Sequence, residues 1–303
     1  MNRSTRTTRG LLVVVLGLTA AGTAANAQSG EPYYELTAVA VDGSKQVLTR
    51  LPITIFAPRI SPDGTQIAYE VIDPEKGSAR ITIAERDDLG NRYELPLHDG
   101  IRNWAPAWEP DGGRIVFLAQ TEAGDRIWWQ EADGSGGGRH LVDGRSAESW
   151  VSRWELTYLT RKGNDDYGIH VLDVNTGESR ELIDLPESAE HSSYATRDGR
   201  YVAYVSNASG RFEVFVEALP QTGERVQITT EGGGHPVWSR DGRTIFFDRD
   251  AQLFRIGFDP DTGRATGPPE ALPVEGFTQG LYRRQFDLMP DGRFLMLFAV
   301  EGE

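Results

Sequence analysis

The chain contains no cysteine, which excludes disulfides, a thiolate nucleophile, thiolate metal sites and a lipid-modified cysteine. It is short of positive charge too. Its 31 Lys and Arg stand against 45 Asp and Glu, a net charge of −14, and such a surface repels phosphate backbones. Nucleic acid is therefore not expected as a partner. The common catalytic motifs are missing as well: there is no Gly-x-Ser-x-Gly elbow, no His-Glu-x-x-His pair and no phosphate loop. Long apolar runs are lacking. The strongest, Leu11 to Leu18, is too short to span about 30 Å of hydrocarbon, so the chain is not expected to cross a membrane.

That short run has another meaning. Arg3, Arg6 and Arg9 precede it and Ala25-Asn26-Ala27 follows it, the layout of a secretory leader with cleavage after Ala27. Residues 1–27 are read as a signal peptide and residues 31–303 as a single domain. The mature chain is expected in a bacterial periplasm or outside the cell, as a monomer. Losing three arginines takes its formal charge to −17.

What the sequence does have is a repeat. HPVWSRDGRTIFF (235–247) reads as a strand, a tight turn and a second strand. Asp can bond its own backbone in such a turn, and Gly tolerates positive φ. Turns of the same kind are centred on Asp63, Asp111, Asp198, Asp241 and Asp291, at intervals of 48, 87, 43 and 50. The interval of 87 is two units. The hidden copy is SAESWVSRWELTYLT, with Ser152-Arg153 in place of Asp-Gly and Tyr158 at the offset that Tyr69 and Tyr204 occupy elsewhere.

Each hairpin is followed by a second one, as in VFVEALPQTGERVQIT (214–229), giving four strands per unit at the period of a propeller blade. Second strands such as RIVFLA and RFLMLF are continuously apolar, as strands buried on both faces are. The sixth unit has only two strands before the end. YELTAVAVDGSKQVLT (34–49) matches the missing outer hairpin. The expected fold is all-β, a six-bladed β-propeller closed by N-terminal strands that complete the last blade and bury Leu36, Val39, Val41, Val47 and Leu48.

The Ser-Pro-Asp-Gly turn, intact at Ser61-Pro62-Asp63-Gly64 and relaxed in the other copies, resembles that of the TolB-like family of six-bladed propellers. The resemblance covers nearly all of the chain beyond its leader, as the propeller module without a preceding α/β domain. It implies an envelope role, the family including a periplasmic component of the Tol system, sensor domains and the propellers of some peptidases.

In propellers the residues just before each innermost strand line the central channel. Counting seven places back from each turn Asp gives Phe56, Trp104, Arg145, His191, Gly234 and Arg284; the next places hold Ala57, Ala105, Ser146, Ser192, His235 and Gln285. Trp104, Arg145, His191, His235, Arg283 and Arg284 are thus the candidate binding residues, a cationic funnel for a carboxylate or acidic peptide. No catalytic residue, metal or cofactor is assigned: His98, His140 and His170 fall on outer strands or turns, and each turn aspartate is expected to serve its own turn. Trp108, Trp128, Trp129 and Trp238 read as core. The sequence favours a binding or scaffold protein for an envelope protein or peptide. The alternatives are a small-molecule or saccharide binder, and a hydrolase or lyase working from the funnel.

Overall fold

The computed structural model describes residues 33–96, 102–163, 166–280 and 283–300, and the leader read in residues 1–27 lies outside them. The described residues form strands and turns without a helix. Strands β1 (Tyr33–Val39) and β2 (Lys45–Leu51) come first. An antiparallel meander follows, of β3 (Ile55–Ile60), β4 (Gln66–Asp73), β5 (Ser78–Glu85) and β6 (Asp88–Glu94). The next is β7 (Arg102–Trp108), β8 (Arg114–Thr121), β9 (Gly124–Glu131) and β10 (Arg139–Asp143), and one parallel pairing, Ala79 with Arg102, links it to its predecessor.

Two four-stranded sheets come after these: β11 (Ala147–Trp150), β12 (Glu155–Arg161), β13 (Tyr167–Asp173) and β14 (Ser179–Ile183), then β15 (Glu190–Ala195), β16 (Tyr201–Ser206), β17 (Glu213–Ala218) and β18 (Arg225–Gln227). In the following sheet β19 (Gly234–Trp238), β20 (Thr244–Arg249) and β21 (Gln252–Asp259) run in order, with β22 (Arg264–Ala265) and β23 (Glu270–Glu275) both pairing with β21. Strands β24 (Phe286–Leu288) and β25 (Phe294–Val300) complete the chain, and their sheet has the order β2-β1-β25-β24. Both ends of the described chain therefore meet in one ladder, from Tyr33 opposite Val300 to Val39 opposite Phe294.

The turns account for the repeat. Asp63 accepts from the Thr65 N–H at 3.0 Å and the Ser61 hydroxyl at 2.7 Å, and Gly64 sits at φ +79°. Asp111 takes the Gly113 N–H, and Asp241 takes the Ser239 hydroxyl and the Arg243 N–H. These bonds hold all three carboxyls below the usual carboxylate range. In the third unit the Ser152 hydroxyl does the same work, accepting from the N–H groups of Trp154 and Glu155 at 3.2 and 3.1 Å. The turn survives there without Asp-Gly.

Apolar clusters fasten each sheet to the next. Ala68, Ile81 and Ile83 pack on Ile115 and Phe117; Val116 and Ile127 on Leu156 and Leu172. Ile169 and Val171 meet Val202 and Tyr204, and Val205 and Val216 meet Ile245 and Phe247. Val237 and Phe246 then pack on Phe286 and Phe294, while Leu295 and Leu297 pack on Ile55 and Ile67. Trp128 packs with the first of these groups and Trp129 with the second, one ring to each face of β9.

Leu36 and Val39 are fully buried, Val41 and Leu48 pack on the clusters as partly buried residues, and Val47 is 44% exposed. The expectation that Val47 is buried is thus corrected. It lies on the outermost strand, where one face meets solvent, and the pairing of β1 with β2 shifts between Leu36 and Thr37. Such a shift alternates the inward face of an edge strand.

Candidate functional site

Four of the innermost strands begin with the same irregularity, and this decides where their side chains go. In β3, β7, β15 and β19 the pairing with the next strand slips between Phe56 and Arg59, Trp104 and Ala107, His191 and Tyr194, and Gly234 and Val237. One residue of each slip takes positive φ: Ala57 (47°), Ala105 (51°), Ser192 (56°) and His235 (47°). None is glycine, so each carries backbone strain, which persists only where the surroundings hold it.

Side chains from the neighbouring sheet supply that hold. Gln285 Oε1 accepts the Ala57 N–H at 2.8 Å, Glu70 Oε1 the Ala105 N–H at 2.6 Å, and Glu148 the N–H groups of Ser192 and Ser193 at 2.8 and 2.6 Å. Three of the four bulges thereby become polar clasps between sheets.

Trp104, His191 and Arg284 adjoin residues of these clasps and Arg283 pairs with one, whereas His235 lies in the fourth bulge and Arg145 just ahead of β11. Arg283 donates from Nη1 to both oxygens of Glu70, at 2.8 and 2.6 Å, and Glu70 is fully buried. The same guanidinium lies 4.7 Å from the Trp104 ring centre, with Arg102 at 5.5 Å. Arg145 pairs with Asp125 at 3.0 Å, beside the Tyr167 ring. Arg284 donates from Nε to the Phe286 carbonyl at 2.7 Å and from Nη2 to Asp287 at 2.9 Å, over the Tyr194 ring.

Both histidines are buried. His235 Nδ1 lies 3.0 Å from Asp248, and its Nε2 makes no hydrogen bond among the described residues. His191 bonds the Ser192 hydroxyl at 2.8 Å and stands edge-on to Phe212. Burial, aided by the nearby His235 and opposed by Asp248, pulls the His191 imidazole down to about 3.

This has a measurable consequence. With a folded value near 3 and an ordinary value near 6.5, the unfolded chain binds the proton more readily across that interval. Stability from this group is complete above pH 6.5 and drains as the pH falls towards about 3, by roughly 4–5 kcal/mol at the limit. His191→Gln is expected to flatten the pH dependence of the urea midpoint between those values. An unaltered slope in the variant would contradict the assignment.

Towards the turns, the innermost strands surround a cavity of about 520 Å³. Equivalent positions line it throughout. Three residues before each turn residue stand Ile60, Trp108, Ser149, Ala195, Trp238 and Leu288; one residue before stand Pro62, Pro110, Val151, Arg197, Arg240 and Pro290. Arg59, Glu148, Tyr194 and Asp287, all four residues before, add polar groups. Trp108 and Trp238 donate their Nε1–H groups to the carbonyls of Arg59 and Tyr194 at 3.0 and 2.9 Å. These indoles are at once core and cavity wall.

Five arginines (Arg59, Arg153, Arg197, Arg240 and Arg284) and three carboxylates (Asp111, Glu148 and Asp287) line the cavity, so its formal charge is opposite to that of the chain. Burial raises the Glu148 carboxyl, an effect opposed by the hydrogen bonds from Ser193 and Ser192. Of the six residues nominated from the sequence, Arg284 lines this cavity. Arg59, Glu148, Tyr194 and Asp287 were missed. Their signal was a charged or phenolic residue at one shared offset, four places before the turn residue, in four of the units.

Away from the axis, His170, Glu181 and Asp184 bring ligand-type atoms within 4.8 Å of one another among the described residues. Asp184 there also pairs with Lys162, which supplies the opposing charge. His140 pairs with Asp143, and His98 lies outside the described residues. No helix among the described residues is long and apolar enough to cross a membrane.

No protein-family model and no curated protein matches the sequence. Solved structures do match. The chain is similar to a putative TolB from Agrobacterium tumefaciens, with 16% identity and a TM-score of 0.70 over 90% of this chain and 100% of that one. It is also similar to TolB from Acinetobacter baumannii, with 17% identity and a TM-score of 0.58 over 80% of this chain and 66% of that one. An oligogalacturonate lyase in complex with manganese aligns with 13% identity and a TM-score of 0.51, over 90% of this chain and 97% of that one. The chain has a TolB-like β-propeller fold.

Proposed function

We propose that this protein is an exported, non-enzymatic binding module whose central cavity receives part of a protein or peptide of the cell envelope. In this reading its sheets are the six blades of a ring that β1 and β2 close, residues 31–303 are one domain, and residues 1–27 are removed on export. The apolar clusters support the ring, because they link the sheets in an unbroken cycle that returns through Leu295 and Ile55. The carrying observation is the cavity itself: cation-rich in an acidic chain and lined at equivalent positions of every repeat. Most of the ionisable groups at the opposite ends of the inner strands are already engaged by neighbours, as Arg283 is by Glu70. A small molecule or saccharide would use the same cavity, whose indole walls suit either.

The test uses Arg197 and Arg240, two rim positions, the first exposed beside the fourth turn and the second exposed beside the fifth. Arg197→Trp with Arg240→Trp should leave the melting temperature within a degree or two and abolish capture of the envelope partner that the wild type retains. Capture undiminished by the blocked rim would move the binding site elsewhere. In the same preparation, the exported chain should begin at Gln28.

A further inference from the structure

The cavity's carboxylates are already satisfied. Glu148 accepts the N–H groups of Ser192 and Ser193 and the Ser193 hydroxyl, and Asp287 accepts from Arg284 and from the Ile60 N–H at 3.1 Å. Arg59 is in a different condition. Its Nη1 donates to two carbonyls, Pro58 at 2.8 Å and Arg284 at 3.0 Å, and among the described residues no carboxylate hydrogen-bonds it. A guanidinium has five N–H donors in a rigid fork. Nε and both donors of Nη2 therefore remain for an incoming group. Burial and the adjacent Arg284 lower the Arg59 guanidinium to about 10, an effect that Asp287 and Glu70 oppose.

Above Arg59 the cavity changes character twice. Trp108 and Trp238 have spent their N–H groups on backbone carbonyls and, with Leu288, form an apolar belt. At the rim Arg197 and Arg240 are exposed, and Arg197 makes no ion pair among the described residues. Floor and rim are three strand residues apart, about 10 Å at 3.3 Å per residue.

Resting on the reading of this cavity as the binding site, the geometry points to an extended peptide C-terminus as the ligand, its terminal carboxylate forked onto Arg59 and acidic side chains meeting Arg197 and Arg240. Three extended residues bridge floor and rim. A peptide can be anionic at its tip, apolar at the belt and anionic again at the rim. A polyuronate carries a charge on every unit, and the belt of Trp108, Trp238 and Leu288 offers its middle carboxylate no cation, so the belt selects against it.

The probe is the peptide Ac-Glu-Glu-Leu-Ala, titrated calorimetrically against the purified chain beside its C-terminal amide and trigalacturonate. The free acid is expected to bind at least tenfold more tightly than the amide. Arg59→Gln should abolish that difference, and Arg197→Gln with Arg240→Gln should weaken acid and amide alike and flatten the salt dependence. If Arg59→Gln lowers the melting midpoint, Arg59→Lys replaces it: charge without the fork, with an acid-to-amide ratio between the other two. Equal binding of acid and amide by the wild type overturns the terminal anchor, and tighter binding of trigalacturonate overturns the ligand class. No binding of any carboxylate probe, while the blocked rim still abolishes capture, refutes the Arg59 assignment and leaves the binding module standing.

Discussion

Removal of residues 33–51 is expected to abolish cooperative unfolding. Leu36 and Val39 are fully buried and Leu51 nearly so, each worth about 1.5–3 kcal/mol, against a total of about 5–15 kcal/mol for a whole domain. Without β1, the apolar strand β25 also loses its ladder from Phe294 to Val300 and becomes an open edge. Differential scanning calorimetry of the shortened chain should show no sharp transition. Retention of the full-length melting temperature would refute the structural role given to β1. Single substitutions refine the test: Leu36→Ala should cost about 2–5 kcal/mol, whereas Val47→Ala, on a side chain 44% exposed, should stay within about 0.5 kcal/mol.

The second large effect concerns Glu70. Its carboxylate is fully buried and serves two masters, the strained Ala105 N–H and the Arg283 guanidinium. Glu70→Ala leaves the buried Ala105 N–H without an acceptor, whereas the Arg283 guanidinium, 34% exposed, turns to water, and loss of the buried acceptor costs roughly 1–3 kcal/mol. Glu70→Gln keeps an acceptor for Ala105 and should recover part of that loss. Urea denaturation of both variants decides the matter; equal, negligible losses would mean the clasp contributes nothing. Because Arg283 also lies against Trp104, the alanine variant should shift tryptophan fluorescence as well.

These two predictions draw on what the sequence displays and what it hides. Turn chemistry is local, so Asp63, Asp198 and Asp241 announce themselves at fixed offsets, and the resemblance of YELTAVAVDGSKQVLT to other outer hairpins foretold the pairing of β1 with β25. Even the unit without its Asp-Gly was legible, from the doubled interval of 87 and from Tyr158 at the shared offset. The bulges were not. Ala57, Ala105, Ser192 and His235 adopt a conformation normally marked by glycine, and nothing in their identity reveals it. Counting seven places back from the turn therefore reached residues on the far side of the bulges, among them His191 and Trp104, while Arg284 reached the cavity. The cavity starts nearer the turn, with Arg59, Glu148 and Tyr194, whose significance lies in facing one another across space.

The ladder between β1 and β25 also imposes an order of events during synthesis. Strand β1 emerges from the ribosome first, yet its partner is delivered last, so Leu36 and Val39 must wait through the making of some 250 intervening residues before their sheet exists. Throughout that delay β1 has only β2 beside it, and its other edge stays open. The proposed export, were it to carry the polypeptide unfolded, would shorten the hazard by delivering the first and last strands to the same compartment within moments of each other.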